Sequence, residues 1–422
     1  MTELPRWAQE LLDRHPGAEM PSRENPIPDW LAQETRRRPL WYIIRGAQSM
    51  PEQHPFLVHR EIHRQPEQWQ EILNERWPEI DELAKTLVDK GVKRIITTGC
   101  GSAFFTALHG ATVFEQLAGI ETRPIESFEL THYFPRVDPS ATLVVGHSGT
   151  GGSIETVEAM EAARARGCHT LAMTNTDETP VGRASEHSLT FVTKQECAPC
   201  TSVVSTRILM QTMLAIKLGQ HLGSAGSNAK QAEEALSIVP ETGKSFLDAS
   251  EGPIQDMAEQ HKDLASWLLV GSGPNYFSAR EGTLKIEEQA ILVGKAYRTG
   301  DFHHDALSLV QPRHAVVAIE ARGAANKRVV DVVNAANEGL SPTVAVTWSG
   351  TSGSEELAST ANHHVELRPA VPEIVSPIAM TLVFQLLGYY LGVARGYNPD
   401  TLRTEHEPNA RAWLTSFPLG TH

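Results

Sequence analysis

Residues 92–107 read VKRIITTGCGSAFFTA, and residues 266–279 read SWLLVGSGPNYFSA. Superposing Gly99 on Gly271 places Gly101 on Gly273, Phe105 on Phe277 and Ala107 on Ala279, an offset of 172 residues (271 − 99). The same offset lays TLVVG (142–146) on HAVVA (314–318), and one residue more lays TLAMT (170–174) on TVAVT (343–347). Three correspondences in chain order at a nearly constant offset mark a duplicated domain.

Each copy alternates short apolar runs with helical patterns. In the first, strands are predicted near 93–98, 142–146 and 169–174, with helices near 102–118, 153–166 and 204–222. In the second, strands fall near 266–271, 314–319 and 343–347, with helices near 276–292, 323–338 and 373–395. Continuous apolar runs suit parallel strands covered on both faces, so each copy is expected to be an α/β domain with a doubly wound parallel sheet. Such sheets bind ligands outside the carboxyl ends of their strands. The expected division is a Pro-rich surface extension (1–65), a first domain (66–225) opened by a helix near 66–90, linker helices (226–262), a second domain (263–400) and a tail (401–422).

The 422-residue chain carries 37 Lys and Arg against 51 Asp and Glu, a net charge of −14. This disfavours a nucleic-acid groove or a polybasic membrane face, both of which need clustered cations. Arg36, Arg37 and Arg38 read as a solvated or salt-bridged run rather than an anion site. An anionic ligand then has to be held by backbone N–H groups and hydroxyls. No apolar run reaches the roughly 18 residues of a membrane span, and the start MTELPRWAQELLDRHPG lacks a signal-peptide pattern. With four cysteines (Cys100, Cys168, Cys197 and Cys200), the expectation is a reduced cytoplasmic protein. Cys197 and Cys200 have metal or redox spacing, yet no second pair completes a zinc site. An ordinary loop pair is therefore favoured, and neither metal nor cofactor is expected.

Gly99-Cys100-Gly101-Ser102 follows a strand and opens a helix. A dinucleotide fingerprint would place a third glycine at position 104, where Phe104 stands. The turn either brings amides and the Ser102 hydroxyl to a ligand or serves only the chain reversal. After the next long strand comes His147-Ser148-Gly149-Thr150-Gly151-Gly152-Ser153-Ile154-Glu155-Thr156. Hydroxyls and glycines crowded before a helix can bind an anion on first-turn amides; the simpler reading is a capping box on Ser153. The anion site is favoured because a cap does not call for so many glycines and hydroxyls, and its candidate contacts include His147, Thr150 and Gly151. The second copy has Ile319-Glu320-Ala321-Arg322 at that point and no Ser-Gly loop. It offers instead Glu281, Lys285 and Glu288 at i, i+4 and i+7 of one helix, followed by His304 in Gly300-Asp301-Phe302-His303-His304-Asp305. A carboxylate and an imidazole in one cleft can act as base and acid near neutral pH; a surface ion pair and solvated histidines are the bland alternative.

Together these motifs resemble the sugar isomerase (SIS) domain family, above all its tandem members: the isomerase half of glucosamine-6-phosphate synthase and the fructosamine-6-phosphate deglycases. The likeness runs from Arg60-Glu61-Ile62-His63-Arg64-Gln65-Pro66 to Asn398-Pro399-Asp400. It implies two tandem SIS-type domains. A sugar phosphate would be held by Gly101, Ser102, Ser148, Gly149, Ser153 and Thr156, with Lys285 as a further contact and Ser205 of Ser205-Thr206-Arg207 over the sugar. It implies Glu288 as the base moving a proton between C1 and C2, and His304 as the acid for ring opening or amine departure. It further implies a homodimer with its site near the subunit interface. The tail from Thr401 has no lysine for the synthase's Schiff base, and no amino-terminal cysteine nucleophile precedes the first copy. The activity implied is cofactor-independent chemistry at C1 and C2 of a sugar phosphate or ketosamine phosphate. An amine-releasing deglycase or deaminase is preferred; aldose–ketose isomerisation and a non-catalytic sugar-phosphate sensor are the alternatives.

Overall fold

In the computed structural model the described residues are 51–416 apart from 52, 176, 192, 194–196 and 352; the arginine run at 36–38 and residues 417–422 lie outside them. Among the described residues two helices, α1 (Leu57–Glu75) and α2 (Trp77–Asp89), precede the first sheet. That sheet comprises β1 (Arg94–Thr98), β2 (Glu121–Pro124), β3 (Thr142–Ser148), β4 (His169–Thr174) and β5 (His187–Thr190). Its principal helices are α3 (Ser102–Val113), α4 (Ser127–His132), α5 (Ile154–Ala165) and α6 (Ser202–Leu222). Helices α7 (Ser227–Leu236) and α8 (Val239–His261) lead to the second copy. It consists of β6 (Ser266–Val270), β7 (Val293–Tyr297), β8 (His314–Ile319), β9 (Thr343–Trp348) and β10 (His363–Leu367). Its longer helices are α9 (Asn275–Lys285), α10 (Asn326–Glu338) and α11 (Ser376–Ala394).

The first sheet has strand order β2-β1-β3-β4-β5 and the second β7-β6-β8-β9-β10, with every pairing parallel. Each order reverses between its first and third strands, which makes the switch point where α/β sheets take ligands. The duplication reaches detail invisible in the residues. A π-helical turn closes α3 at Phe114–Ala118 and α9 at Ile286–Ala290, again 172 residues apart (286 − 114). Next comes a left-handed residue in each copy, Gly119 with φ 68° and Ile291 with φ 52°. Glycine adopts that conformation freely and a β-branched residue does not, so the second copy holds the fold's geometry against local preference.

The first helix starts nine residues inside the stretch predicted to be surface extension. Leu57, Val58, Ile62 and Gln65 of that stretch are buried. Pro66 reads as a helix boundary because it cannot donate to the carbonyl of Ile62. Gln65 supplies the missing donor, its Nε2 reaching Ile62 O at 3.3 Å, and the helix continues. Helix α11 also departs from the sequence reading. It is long and apolar enough to cross a membrane by composition, against the sequence expectation, but 89% of its apolar window is buried inside the protein. Alternation along the strands divides the core. Leu143 and Val145 of β3, with Leu269, Val317 and Val346 of the other sheet, share one apolar cluster with α6 and α11. Val144, facing the opposite way, packs with Met160 of α5. The two sheets are thus joined through one core and covered separately outside.

Asp400 fastens the start of α1 to the far end of the chain, accepting Leu57 N at 2.9 Å and Val58 N at 2.8 Å while fully buried. Asp400→Ala strands two helix-terminal amides and is expected to lower the unfolding free energy by about 2–4 kcal/mol in urea denaturation, with Asp400→Asn losing less.

Candidate active site

At the switch point of the first copy, two helix N-termini meet. Gly101 turns the chain from β1 into α3 with φ 56°, and Ser102 becomes the helix's first residue. Ser153 occupies the N-cap of α5 in extended backbone, but its side chain makes no capping hydrogen bond, so the capping box is not formed. The loop hydroxyls face one another instead: Ser148 Oγ donates to Ser153 Oγ at 3.3 Å. Behind them Ser127 Oγ lies 3.0 Å from Thr98 Oγ1 and 3.1 Å from Thr156 Oγ1. Ser127 carried no sequence signal. Gly151 is fixed by both conformation and space, with φ 69° and a position where a Cβ would lie 2.2 Å from Cβ of Thr179. The result is a concave turn lined by amides and hydroxyls, with Gly149 and Thr150 partly exposed at its mouth. Such a surface suits an anion without any Lys or Arg. Beneath it, burial and a hydrogen bond to Glu126 push the Cys100 thiol up to about 12, which keeps it protonated.

His147, expected beside the ligand, belongs to the interior. Strand alternation points Gly146 and Ser148 toward α5, where a Cβ on Gly146 would strike Met160, and sends His147 the other way. It is fully buried. Burial, then the charges of Arg207 and His109, hold it neutral well below its ordinary range. Burial likewise pushes His109 down to about 3, while its Nδ1 lies 2.6 Å from Gln211 Nε2. Ser205 is also turned to structural use: it donates to Gln65 Oε1 at 2.5 Å and accepts from Trp69 Nε1 at 2.9 Å, joining α6 to α1.

The corresponding place in the second copy is filled by the protein's own carboxylate. Buried Glu320 accepts Trp348 N at 2.8 Å and the hydroxyl of Thr351, so donors that could meet an incoming anion are already engaged.

The second copy sends its charged helix to the first. Lys285 is fully buried, and its ammonium donates to Glu288 Oε2 at 2.6 Å and to the carbonyl of Cys200 at 2.9 Å, with Glu281 Oε1 at 3.2 Å. Burial works against the charge, but Glu288 and Glu281 overcome it and hold the ammonium's pKa above its ordinary value. Lys285 therefore neither acts as a base nor has an exposed face to offer a ligand. Ser102 Oγ donates to Glu281 Oε1 at 3.0 Å, linking the first copy's helix start to the second copy's charges. Glu288 keeps 21% of its side chain exposed. The Cys200 carbonyl, which the sequence did not signal, gives the Cys197–Cys200 loop a backbone role, and all four cysteines are free thiols.

His304 stands elsewhere. It lines a cavity of about 210 Å³ with Ser272, Thr299, Gly300, His303, Ala325 and Arg328, a set that includes none of Glu281, Lys285 and Glu288. Within one chain, Ser102, Glu281, Lys285 and Glu288 form one bonded network, whereas His304 lines a cavity that none of them lines.

Fold and site define a duplicated doubly wound α/β protein with one elaborated switch point and a buried charge cluster between its copies. The SIS-domain model matches residues 90–217 and 265–394, and the chain belongs to the SIS-domain family. It is 28% identical over 341 residues to a glutamine–fructose-6-phosphate aminotransferase (isomerizing) of Methanothermobacter thermautotrophicus, covering 81% of this chain and 55% of that protein. It is 28% identical over 352 residues to the protein of that name from Thermococcus kodakarensis, covering 83% and 57%. The chain thus spans little more than half the length of these relatives. Among solved structures, the C-terminal domain of glucosamine-fructose-6-phosphate aminotransferase from Francisella tularensis superposes with TM-score 0.75 at 18% identity, covering 82% of this chain and 98% of that one. Tagatose-6-phosphate ketose/aldose isomerase from Escherichia coli gives 0.67 at 19%, covering 82% and 94%.

Lys285→Met leaves Glu281 buried without its counter-charge and is expected to cost about 3–5 kcal/mol of stability. Adding Glu281→Gln should return part of that loss, which a double-mutant cycle in urea will measure. Folded His109 refuses a proton that the unfolded chain accepts below about pH 6.5, so its contribution is complete above that value and is lost as pH falls toward 3. Urea midpoints should decline from pH 7 to pH 4.5, and less steeply in His109→Gln.

Proposed function

We propose that the protein catalyses cofactor-independent proton transfer between C1 and C2 of a phosphorylated sugar. The observation that carries this is the partly exposed Glu288 carboxylate, fixed by buried Lys285 within a network that reaches Ser102 at the anion-binding turn. A carboxylate held beside a bound substrate can take a proton from one carbon and return it to the next, a role typically worth ~10²–10⁴ in rate. The phosphate would rest on the N-termini of α3 and α5 with the hydroxyls of Ser102, Ser148 and Ser153. The names of the relatives and of the Escherichia coli neighbour support a phosphosugar substrate, and the cytoplasm, where such metabolites are handled, is the compartment this reading implies.

In the preferred form the substrate is a ketosamine phosphate. Glu288 takes a proton from C1, the resulting enaminol is reprotonated at C2, and the imine at C1 is hydrolysed to an aldose phosphate and a free amine. A lysine Schiff base is not needed because the substrate already carries nitrogen. Aldose–ketose isomerisation is the second reading, supported by the same base and by the isomerases among the similar proteins. A sensor would have no use for a buried lysine that fixes an exposed carboxylate.

The separate position of His304 supports a homodimer in which His304 of one subunit completes the other's site. Glu288→Gln should abolish turnover while ligand binding persists, and Ser148→Ala with Ser153→Ala should raise KM. Mixing inactive Glu288→Gln and His304→Ala subunits should restore activity to about a quarter of wild type, since one site in each mixed dimer is intact. A panel of sugar phosphates and glycated amine phosphates, with amine release measured, separates the two chemical readings. Full activity of Glu288→Gln on every member overturns both.

A further inference from the structure

We propose that His59, His63 and Glu251 form a binding site for a divalent transition ion, zinc by preference, which ties the first helix to the helix that joins the two copies. His59 and His63 lie one turn apart on α1, so both imidazoles leave the same face. Their ring centroids are 4.3 Å apart. Glu251 comes from α8 and meets them both: His59 Nε2 lies 2.5 Å from its Oε1 and His63 Nε2 3.2 Å from its Oε2. The donor atoms of all three lie within 4.8 Å of one another, and they form the single group of this kind among the described residues.

Zinc binds imidazole nitrogen and carboxylate oxygen at about 2.0–2.2 Å, so tetrahedral donors sit roughly 3.3 Å apart. To accept the ion in place of the protons now shared between its members, the set needs a modest retreat of Glu251 from His59 and a closer approach of those donors that now stand up to 4.8 Å apart. Glu251 has room for that: its side chain is 26% exposed. Pro253, two residues on, also removes the N–H that would hold the carbonyl of Ala249 within α8. Two imidazoles with one carboxylate select zinc and its neighbours over magnesium or calcium, which prefer oxygen alone. An orienting partner is built in, as buried Tyr390 donates its hydroxyl to Glu251 Oε1 at 2.5 Å. His54 packs edge-on against His59 with centroids 4.8 Å apart. The donor set leaves a coordination position for water. None of these residues belongs to the Lys285 cluster.

The test uses the full chain with any affinity tag removed, stripped by a chelator and titrated with zinc. One equivalent per chain is expected by elemental analysis after gel filtration, together with a rise in Tm and, with cobalt in place of zinc, tetrahedral visible bands. His63, at 35% side-chain exposure, can be replaced without disturbing the core. His63→Asn and Glu251→Gln should each weaken zinc binding by at least about tenfold and abolish the zinc-dependent rise in Tm, while Tm without metal stays close to wild type. Failure of wild type to retain zinc overturns the proposal. So does equal zinc affinity in both variants, which would place the ion at other histidines.

Discussion

A lysine with no exposure to water sits where the two copies meet, and the arrangement around it depends on keeping its charge there. Taking an ammonium and a carboxylate out of water costs several kcal/mol each, so such a group persists only if every donor is answered. Lys285 answers each of its donors: two carboxylates from its own helix and a carbonyl from the first copy's loop. The bond to Cys200 O and the bond from Ser102 to Glu281 are therefore more than contacts between neighbours. They are the polar closure of an interface whose remainder is the apolar core shared by both sheets. Separating the copies would expose that core and also leave Lys285 to its own helix's carboxylates alone.

The duplication shows which features belong to the fold and which to the chemistry. The π-helical turn bearing Glu288 would, taken alone, suggest a functional distortion. Its counterpart at Phe114–Ala118 contains none of the candidate site residues, so the turn belongs to the repeated architecture. The switch-point loops diverge in the opposite sense. The first copy kept a loop of glycines and hydroxyls, whereas the second put Glu320 in the same place and satisfied it with Trp348 N and Thr351. A turn of amides and hydroxyls suits an anion and a buried carboxylate repels one, so the two switch points are no longer electrostatically alike.

Much of this was legible in the residues. The central strands are uninterrupted apolar runs covered on both faces, and their repeat spacing alone established the architecture. The edge strands β2 and β5 were not legible, being four residues long and half exposed, with no continuous apolar signal. The first nine residues of α1, before Pro66, were hidden, since repair by the Gln65 side chain depends on a rotamer that sequence cannot show. In the site, spacing alone put Glu281, Lys285 and Glu288 on one face, because a helix converts i, i+4 and i+7 into neighbours. Neither the family likeness, for Ser205, nor the composition of the loop, for His147, shows side-chain direction. Ser205 and His147 occupy the right segments, but helix phase turns one to Trp69 and Gln65, and strand alternation turns the other to Arg207. The cavity holding His304 apart from Glu288 follows from tertiary placement, which no local pattern encodes.

Ser102 shows how binding and chemistry can be coupled across the copies. A hydroxyl has one proton to donate, and here it goes to Glu281. An anion arriving at the N-terminus of α3 competes for that proton. Were Ser102 to turn to the ligand, Glu281 would lose a donor and lean harder on Lys285, the group that also holds Glu288. Occupancy of the first copy's loop would then be felt at the second copy's carboxylate through three polar contacts, Ser102–Glu281, Glu281–Lys285 and Lys285–Glu288, without any domain movement. Such a link needs a short, largely buried network, because solvent would screen the change before it arrived. The burial of Lys285, costly in itself, is what keeps Ser102 of one copy in electrostatic contact with Glu288 of the other.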